Sequence, residues 1–311
     1  MKILIIRLHL LEKVMATIPL VKAIKAKYPD AIIHYVSSEE LQDYLSKFFE
    51  IEKVFFVKGD ITPTVLTLLK EKYTATIDLQ WNARSRFITS HLGQQFNAML
   101  TKYRYPRGYF KKIFSKKYFD VPNISAAFIN ATNKPIGKGN SLNLSTAILQ
   151  WYYPTTAADE LKKEDIPTSH SVGYYCIDIA DLTAQQSNIA KLIQAIPFPV
   201  VLLGSQKDTT LAAALKEIDP IKVYVACGKY TQAEEFNILK SSKLNILSTN
   251  IYRALGAAAQ VSMIDAGAVE LGIAELEPFC LGQANANYRK LLWQNSGNMM
   301  IATKKTLKIG Q

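Results

Sequence analysis

The sequence predicts an α/β protein made of two domains, each a doubly wound parallel sheet. Short runs rich in Ile and Val alternate with segments of helical period along nearly the whole chain, which is typical of β-α-β units. The length of 311 residues suits two domains, and 49% of the residues are apolar, enough for a core in each. Disorder, a collagen-like fibre and a disulfide miniprotein are therefore excluded.

The first domain is predicted to contain four strands and three helices. The apolar N-terminus, KILIIRL, is too short and too interrupted by charge for a membrane-spanning helix, so it is expected to form the first strand. Ser37 and Ser38, followed by acids at 39 and 40, are expected to cap the second helix, and Pro29-Asp30 to end the first. The predicted strands are residues 2–8, 31–36, 53–57 and 74–79, and the predicted helices are residues 13–28, 38–49 and 62–72.

A connector rich in proline and glycine separates the two domains. Its composition over residues 121–170 suits a linker with one helix near 141–150, and we place the boundary at about 165, giving domains of 1–165 and 166–311. Two such domains are expected to face each other across a cleft, where open α/β folds bind ligands. In the second domain the predicted strands are 172–178, 199–203, 222–226, 260–264 and 278–282, and the predicted helices are 184–195, 208–217, 232–240, 249–257, 267–275 and 286–295.

Several classes of protein lack their sequence signatures here. The chain has no GxGxxG, P-loop, HExxH or GxSxG motif, which argues against dinucleotide oxidoreductases, P-loop ATPases, zincins and α/β-hydrolases. Cys176, Cys227 and Cys280 each lie in an apolar run without CxxC spacing, which predicts reduced core cysteines in a cytoplasmic protein. No metal or other cofactor is expected, and His34, alone in a strand, is expected to be structural.

The formal net charge of +11 indicates an anionic partner. Nearly all of the excess is in the first half, since residues 1–170 carry +9 and residues 171–311 carry +2. Residues 102–117 contain seven cations and no acid, interleaved with aromatic residues. This pattern fits a phosphate-seeking or membrane-surface element, and it fits equally well a solvated helix or hairpin whose aromatic side chains pack on the domain. The cations are Lys102, Arg104, Arg107, Lys111, Lys112, Lys116 and Lys117.

Candidate site residues follow the predicted strands. After the first strand come His9, Glu12 and Lys13, where a carboxylate could act as a base and a cation could hold a phosphate. Alternatively, Glu12 is only a favourable acid in the first turn of a helix. After three strands of the second domain, small residues would let backbone N–H groups approach a nucleotide diphosphate, although each turn alone would be ordinary. These residues are Gly204, Ser205, Gly228, Lys229, Asp265, Ala266 and Gly267.

The residues resemble those of glycosyltransferase family 9, the ADP-heptose:lipopolysaccharide heptosyltransferases. Residues 77–85, IDLQWNARS, are similar to the family's IDLQxNxRS segment, and KILIIRL followed by Thr17-Ile18-Pro19 resembles its first βα unit. Residues 200–204, 226–229 and 265–267 are similar to landmark segments of the family's donor domain. The resemblance implies a GT-B fold and an inverting transfer, without metal, from a nucleotide-diphosphate sugar to a lipopolysaccharide or lipooligosaccharide core acceptor.

The resemblance also implies that the N-terminal domain receives an anionic glycolipid acceptor. The protein would then be cytoplasmic and peripheral on the inner membrane, with no nucleic-acid partner. A structural interpretation of Arg84 is equally open, in which it pairs with Asp78 or caps a helix. The acceptor-binding residues expected from the resemblance and the charge pattern are His9, Gln80, Arg84, Arg104, Arg107, Lys111 and Lys112.

Three of the family's motifs are altered in this chain. The first loop usually reads Ser-x-Leu-Gly-Asp, with Asp as the proposed base, and the matching positions here are Leu11, Glu12 and Lys13. A lysine is protonated at neutral pH unless it is buried, and Glu12 would point about 100° away on a helix. The loop after the strand at 172–178 has lost its cation. The family's Asp-Thr-Gly-x-x-His becomes residues 265–270, DAGAVE, which places the candidate donor-site residue Glu270 where its charge would repel a pyrophosphate.

Two hypotheses of different classes follow. In the first, the chain is an active glycosyltransferase with an altered donor and with Glu12 or another carboxylate as the base. In the second, it is a catalytically inactive GT-B protein that serves as a binding or regulatory partner in envelope glycan assembly, which the loss of donor-phosphate groups favours more than the loss of the base. An unrelated two-domain binding protein is a third interpretation.

Overall fold

The computed structural model describes residues 1–80, 82–92, 129, 132, 142, 151–156, 166–261 and 263–265. These residues divide into two compact units, the first reaching to Pro154 and the second starting at Thr155. Several predicted features lie outside the described residues. They are the domain boundary near 165, the helix near 141–150, the basic stretch at 102–117 with Arg104, Arg107, Lys111 and Lys112, the segment 266–270, Cys280 and the elements after residue 266.

The first unit contains a four-stranded parallel sheet with the strand order β3-β2-β1-β4. All four predicted strands are present, with their ends displaced by a few residues. Helices α4 and α5 lie against one face, where Leu4, Ile6, Val36 and Leu68 belong to one buried cluster. The elements are β1 Lys2–Ile6, α1 Leu11–Met15, α2 Ile18–Lys27, β2 Ile32–Ser38, α3 Gln42–Leu45, β3 Lys53–Val57, α4 Thr62–Lys70, β4 Ala75–Asp78 and α5 Ala83–His91.

The helix predicted over residues 13–28 is divided in two. Its first part begins at Leu11, and the chain turns at Thr17 before α2, because Pro19 lacks the N–H needed to continue a helix but suits the start of one. The Thr17 hydroxyl donates to the Val14 carbonyl at 2.7 Å and lies 2.7 Å from the Tyr35 hydroxyl. The division therefore fixes α1 as a separate short helix directly after β1.

One other expectation for this unit was wrong, and one helix was not predicted. Ser38 precedes a 3₁₀ turn, Glu39–Leu41, but its side chain makes no capping hydrogen bond. Helix α5 was missed because its apolar period is weak, although Asn82 and Ser85 form a capping box at its start. The Asn-x-x-Ser spacing was the sequence signal for this helix.

The second unit contains a five-stranded parallel sheet with the order β7-β6-β5-β8-β9. Strand β8 was missed because Asn245 interrupts its short apolar run. The buried Asn245 side chain is satisfied within the fold, donating to the Leu239 carbonyl at 3.2 Å and accepting from the Ser242 hydroxyl at 2.8 Å. The elements are β5 Tyr175–Asp178, α6 Gln186–Ala195, β6 Val200–Leu203, α7 Thr209–Lys216, β7 Val223–Val225, α8 Gln232–Ser241, β8 Leu244–Leu247, α9 Asn250–Ala259 and β9 Met263–Asp265.

The strand order places the switch of the second sheet beside β5. The chain moves from β5 outward to β6 and β7, then crosses back so that β8 pairs with the other side of β5. In open α/β sheets, ligands bind outside the carboxyl ends of the strands at such a switch. The turns that follow β5 and β8 are therefore the first places to look for a site in this unit.

Candidate functional site

Helix α1, which begins directly after the β1 turn, carries Glu12 and Lys13 at the carboxyl edge of the first sheet. Leu10, just before α1, has a φ of 70°, a conformation that a bulky residue rarely adopts. Glu12 is buried, whereas Lys13 is only half-buried and His9 is partly exposed. Lys13 is therefore the member of this charged pair that is better placed to meet a ligand.

The Lys13 amine has a pKa below its usual value. Burial is the main cause, and repulsion from Arg7 adds to it, while the Glu12 carboxylate acts in the opposite direction. The sequence argument against a lysine base applied only to a solvated lysine. The structure removes part of that objection, because partial burial beside Arg7 makes the Lys13 amine easier to deprotonate than a solvated lysine.

Arg7 lies behind this pair and is 7% exposed. Its guanidinium donates to the Leu79 carbonyl, and its Nε has no hydrogen-bond partner among the described residues. Burial lowers the pKa of Arg7, while Tyr35, Glu12 and Asp78 favour its charged form. Sequence analysis did not identify Arg7, because an arginine that ends an apolar strand looks like a surface residue.

The segment that resembles the family motif is tied together by its own hydrogen bonds. Asp78 accepts from the backbone N–H of Gln80 at 2.9 Å and from the Ser85 hydroxyl at 2.8 Å. The Gln80 side chain accepts from the Leu8 N–H at 3.2 Å, which links β4 to the β1 turn. Arg84 donates to the Gly59 carbonyl, a partner that the sequence did not suggest. These contacts give Asp78, Gln80 and Ser85 a structural role in closing the sheet edge.

Asp178 ends β5 in the second unit and is 1% exposed. Its carboxylate accepts the N–H groups of Ala180 at 3.0 Å, Ser248 at 3.0 Å and Thr249 at 2.7 Å. It also accepts both hydroxyls of the β8–α9 turn, at 3.0 and 2.8 Å. Burial raises the pKa of Asp178, and these hydrogen bonds oppose that rise. Asp178, which begins the loop where the family has a cation, thus joins the turns after β5 and β8.

The turns after β6 and β7 pack directly on each other. The Gly228 N–H donates to the Gly204 carbonyl at 3.1 Å, and Gly228 has a φ of 67°. A Cβ on Gly204 would lie 3.1 Å from Asp208, and one on Gly228 only 2.3 Å from Gln206 Oε1. Close packing of two turns therefore accounts for both glycines.

The side chains beside these glycines already have partners within the protein. The Ser205 N–H and hydroxyl both donate to Asp208, at 2.8 and 2.7 Å, in a capping box. The Lys229 amine lies 4.6 Å from the ring centroid of Tyr224. An incoming phosphate would have to compete with the Asp208 carboxylate for the Ser205 donors.

The turn from β8 to α9 contains residues that sequence analysis missed. Ser248, Thr249, Asn250 and Arg253 repeat the spacing of Asp-Thr-Gly-x-x-His, with the threonine in place and a basic side chain at the sixth position. Arg253 is fully buried, and it donates to the Thr249 carbonyl at 3.3 Å and to Asn250 Oδ1 at 2.7 Å. The alternative match begins at Asp265, the last residue of β9, which is the outermost strand of the sheet in the described part of the chain. Recognising β8 was the step that would have revealed this turn.

The same edge holds a second acid, Glu235, in the first turn of α8. Tyr252, in the first turn of α9, donates its hydroxyl to Glu235 Oε1 at 2.8 Å. Burial raises the pKa of Glu235 to about 7, and the charge of Asp178 adds to the rise. Two acids and one buried arginine thus surround the N-terminus of α9.

Cysteine and metal chemistry find no support in the described part of the chain. Cys176 and Cys227 are buried and free, as predicted, and burial raises the pKa of both thiols. No group of three or more His, Cys, Asp or Glu residues that could hold a metal ion occurs among the described residues. The described helices include none that is long and apolar enough to cross a membrane.

Comparisons with known proteins bear on the fold. No model of a protein family and no curated protein sequence matches the chain. Among solved structures, a glycosyl transferase of family 9 from Veillonella parvula DSM 2008 aligns over 100% of this chain and 97% of its own, with a TM-score of 0.64 and 14% identity.

Two E. coli structures are also similar, each over 85% of this chain. ADP-heptose lps heptosyltransferase II is covered over 84% of its length, with a TM-score of 0.58 and 15% identity. Heptosyltransferase WaaC with ADP is covered over 86%, with a TM-score of 0.55 and 17% identity. The chain therefore has the GT-B fold, and it resembles glycosyltransferase family 9 in that fold.

Proposed function

We propose that the protein is an inverting glycosyltransferase that transfers a sugar from a nucleotide diphosphate to a glycolipid core. The observation that carries the proposal is the β8–α9 turn, which lies at the switch point of a GT-B sheet and has the spacing of the family's phosphate-binding pattern. The first N–H groups of α9 have no partner within the helix, and the Arg253 charge lies directly behind them. Together they would stabilise the departing diphosphate.

The proposed donor site extends along the carboxyl edge of the second sheet. Thr249 and Arg253 are its main residues, and Gly204, Ser205, Gly228, Lys229 and Asp265 remain proposed contacts from the neighbouring strands. Asp178 supports the site by holding the two N–H groups and two hydroxyls of the β8–α9 turn. Its role is positioning, because its carboxylate is fully occupied.

The proposed catalytic group is Lys13, assisted by Glu12. In its neutral form the Lys13 amine takes the proton of the acceptor hydroxyl as the new bond to the anomeric carbon forms. The bond from that carbon to the diphosphate breaks on the opposite side, which inverts the centre. Glu12 is buried and acts on the charges of Lys13 and Arg7. The pKa of Lys13 is lowered, so the rate is expected to rise with pH as the amine loses its proton.

The proposed acceptor is an anionic, lipid-linked glycan at the inner membrane surface. The +9 charge of residues 1–170 supports this choice. The contacts proposed are His9 together with Arg104, Arg107, Lys111 and Lys112, whereas Gln80 and Arg84 serve mainly to shape the sheet edge through their hydrogen bonds.

A second candidate function is that of a catalytically inactive GT-B partner in envelope glycan assembly. It is favoured by the acids Asp178, Asp208 and Glu235 at the edge where a diphosphate would bind. Uncompensated, their charges would weaken the attraction of the α9 N-terminus for an anion.

Calorimetric titration with ADP, GDP and UDP, followed by a transfer assay with the corresponding sugars and a deacylated core acceptor, separates the two candidates. The proposal expects saturable binding of one nucleotide and product formation that falls at least 100-fold in Lys13→Met. Lys22→Met, on α2, is the matched control and should keep its activity. Binding without transfer would favour the inactive partner, and an absence of binding at millimolar nucleotide would refute the donor site.

A further inference from the structure

The two acids near the N-terminus of α9 differ in how they can hold a proton. Asp178 accepts five hydrogen bonds, three of them from backbone N–H groups that cannot reverse direction. These three N–H groups favour the charged form, because a neutral carboxyl group accepts from them more weakly than a carboxylate does. Asp178 is therefore held as the carboxylate.

Glu235 has a simpler environment. Within the described part of the chain, the one hydrogen bond to its carboxylate comes from the Tyr252 hydroxyl, at 2.8 Å. A hydroxyl both donates and accepts, so it can rotate and accept a proton from a neutral Glu235 without losing the contact. Of these two acids, Glu235 is therefore the one that takes up a proton more readily.

Among the residues that the structure describes, the other groups acting on Glu235 do not include a cation. From the turn after β7, the Cys227 thiol is the neighbouring group, and burial keeps it protonated. From α9, the guanidinium of Arg253 donates to the Thr249 carbonyl and to Asn250. On α8 itself, Glu234 accepts from the N–H of Thr231 at 2.7 Å and from its hydroxyl at 2.8 Å. The main charge acting on Glu235 is thus that of Asp178.

From this arrangement we propose that ligand binding at the N-terminus of α9 is proton-linked, with Glu235 taking up one proton when a diphosphate binds. The inference rests on the proposed donor site. An anion beside the first turn of α9 would be close to the Glu235 carboxylate, because Tyr252 joins that carboxylate to the same turn. Protonation removes the repulsion between the two negative charges and leaves the attraction of the helix N-terminus.

Burial raises the pKa of Glu235 to about 7, and the charge of Asp178 adds to the rise. The proton uptake would therefore occur within the range in which cells operate. The nucleotide would bind more tightly as the pH falls from 8 to 6, which makes the site sensitive to cytoplasmic acidification.

Isothermal titration calorimetry of the full chain with ADP, GDP and UDP tests the linkage. Measurements at pH 6, 7 and 8, each in two buffers of different ionisation enthalpy, give the number of protons taken up. The terminal phosphate itself titrates at roughly pH 6, so the comparison is made between the chain and Glu235→Gln. Glu234→Gln is the matched control on the same helical turn, since glutamine can also fill a capping box.

We expect the affinity for the nucleotide to be three- to tenfold weaker at pH 8 than at pH 6, on the order set by one partly screened charge pair. This pH dependence should be absent from Glu235→Gln and present in Glu234→Gln. Equal pH dependence in the chain and in Glu235→Gln would overturn the linkage and leave the donor site standing. No binding of any nucleotide at any pH would refute the donor site and the linkage together.

Discussion

The buried carboxylate of Asp178 provides the sharpest test of how the second sheet is held together. We predict that Asp178→Asn destabilises the β5–β8 region, because an amide cannot accept hydrogen bonds through both of its polar atoms. If the amide oxygen faces the β8–α9 turn, the NH₂ group meets the Ala180 N–H, which now donates at 3.0 Å to the other carboxylate oxygen. If the amide is reversed, the N–H groups of Ser248 and Thr249 lose their acceptor.

The first orientation costs less, since it leaves one buried N–H unpaired, at about 1–3 kcal/mol. The remaining hydrogen bonds also lose the strength that a charged acceptor gives them. An opposing gain comes from removing a buried charge, because burial raises the pKa of Asp178 even though the donors oppose it. The net loss is therefore expected to be about 2 kcal/mol.

Native-state hydrogen exchange of the β5 and β8 amides measures this loss locally, and it suits a chain of two units, whose unfolding need not be two-state. Asp181→Asn, at an exposed position with a φ of 59°, is the matched control, since Asn tolerates the left-handed region and should change stability by less than about 0.5 kcal/mol. A loss below about 1 kcal/mol in Asp178→Asn would refute the view that its hydrogen bonds dominate.

Three further predictions concern backbone, charge and thiols. Gly228→Ala should lower the free energy of unfolding by about 2–4 kcal/mol, as measured by chemical denaturation. Gly59 has a similar positive φ, but a Cβ added there would meet no atom within 4 Å, so Gly59→Ala should lower it by only about 1 kcal/mol. His170 has a pKa lowered by burial, so the folded state binds fewer protons than the unfolded one; stability should fall as the pH drops below about 6.5, and less steeply in His170→Gln. Cys176 and Cys227 should resist thiol alkylation in the native protein at pH 8 and react after unfolding, as peptide mass mapping would detect.

Much of the fold could be predicted from the sequence because it depends on local periodicity. The runs KILIIRL and VVLLG are apolar enough to be strands buried on both faces, and the structure confirms them as β1 and β6. Strand β8 could not be predicted in this way, because Asn245 is polar and becomes acceptable only where Leu239 and Ser242 supply its partners. Because that strand was missed, the sequence placed the candidate donor turn at Asp265, whereas the proposal from the structure places it at Thr249.

The positions of the candidate site residues could be predicted from the sequence, but their burial and their contacts could not. The position of Lys13 after the first strand is visible in the sequence, but its half-buried state beside Arg7 is not, and that state lowers the pKa of the Lys13 amine. In the sequence, Asp178 marks a loop that lacks the family's cation. In the fold its carboxylate accepts hydrogen bonds that join two strand ends 70 residues apart.

By itself the sequence determined the alternation of strands and helices, the α/β class and the concentration of positive charge in the first half. Periodicity and charge are local or additive properties, so they can be counted without knowing where the chain goes. Only the tertiary structure decided that Asp178 and Thr249 share hydrogen bonds and that Tyr252 reaches Glu235. Such contacts depend on strand order and on the burial of each group, and both arise only when distant segments pack together.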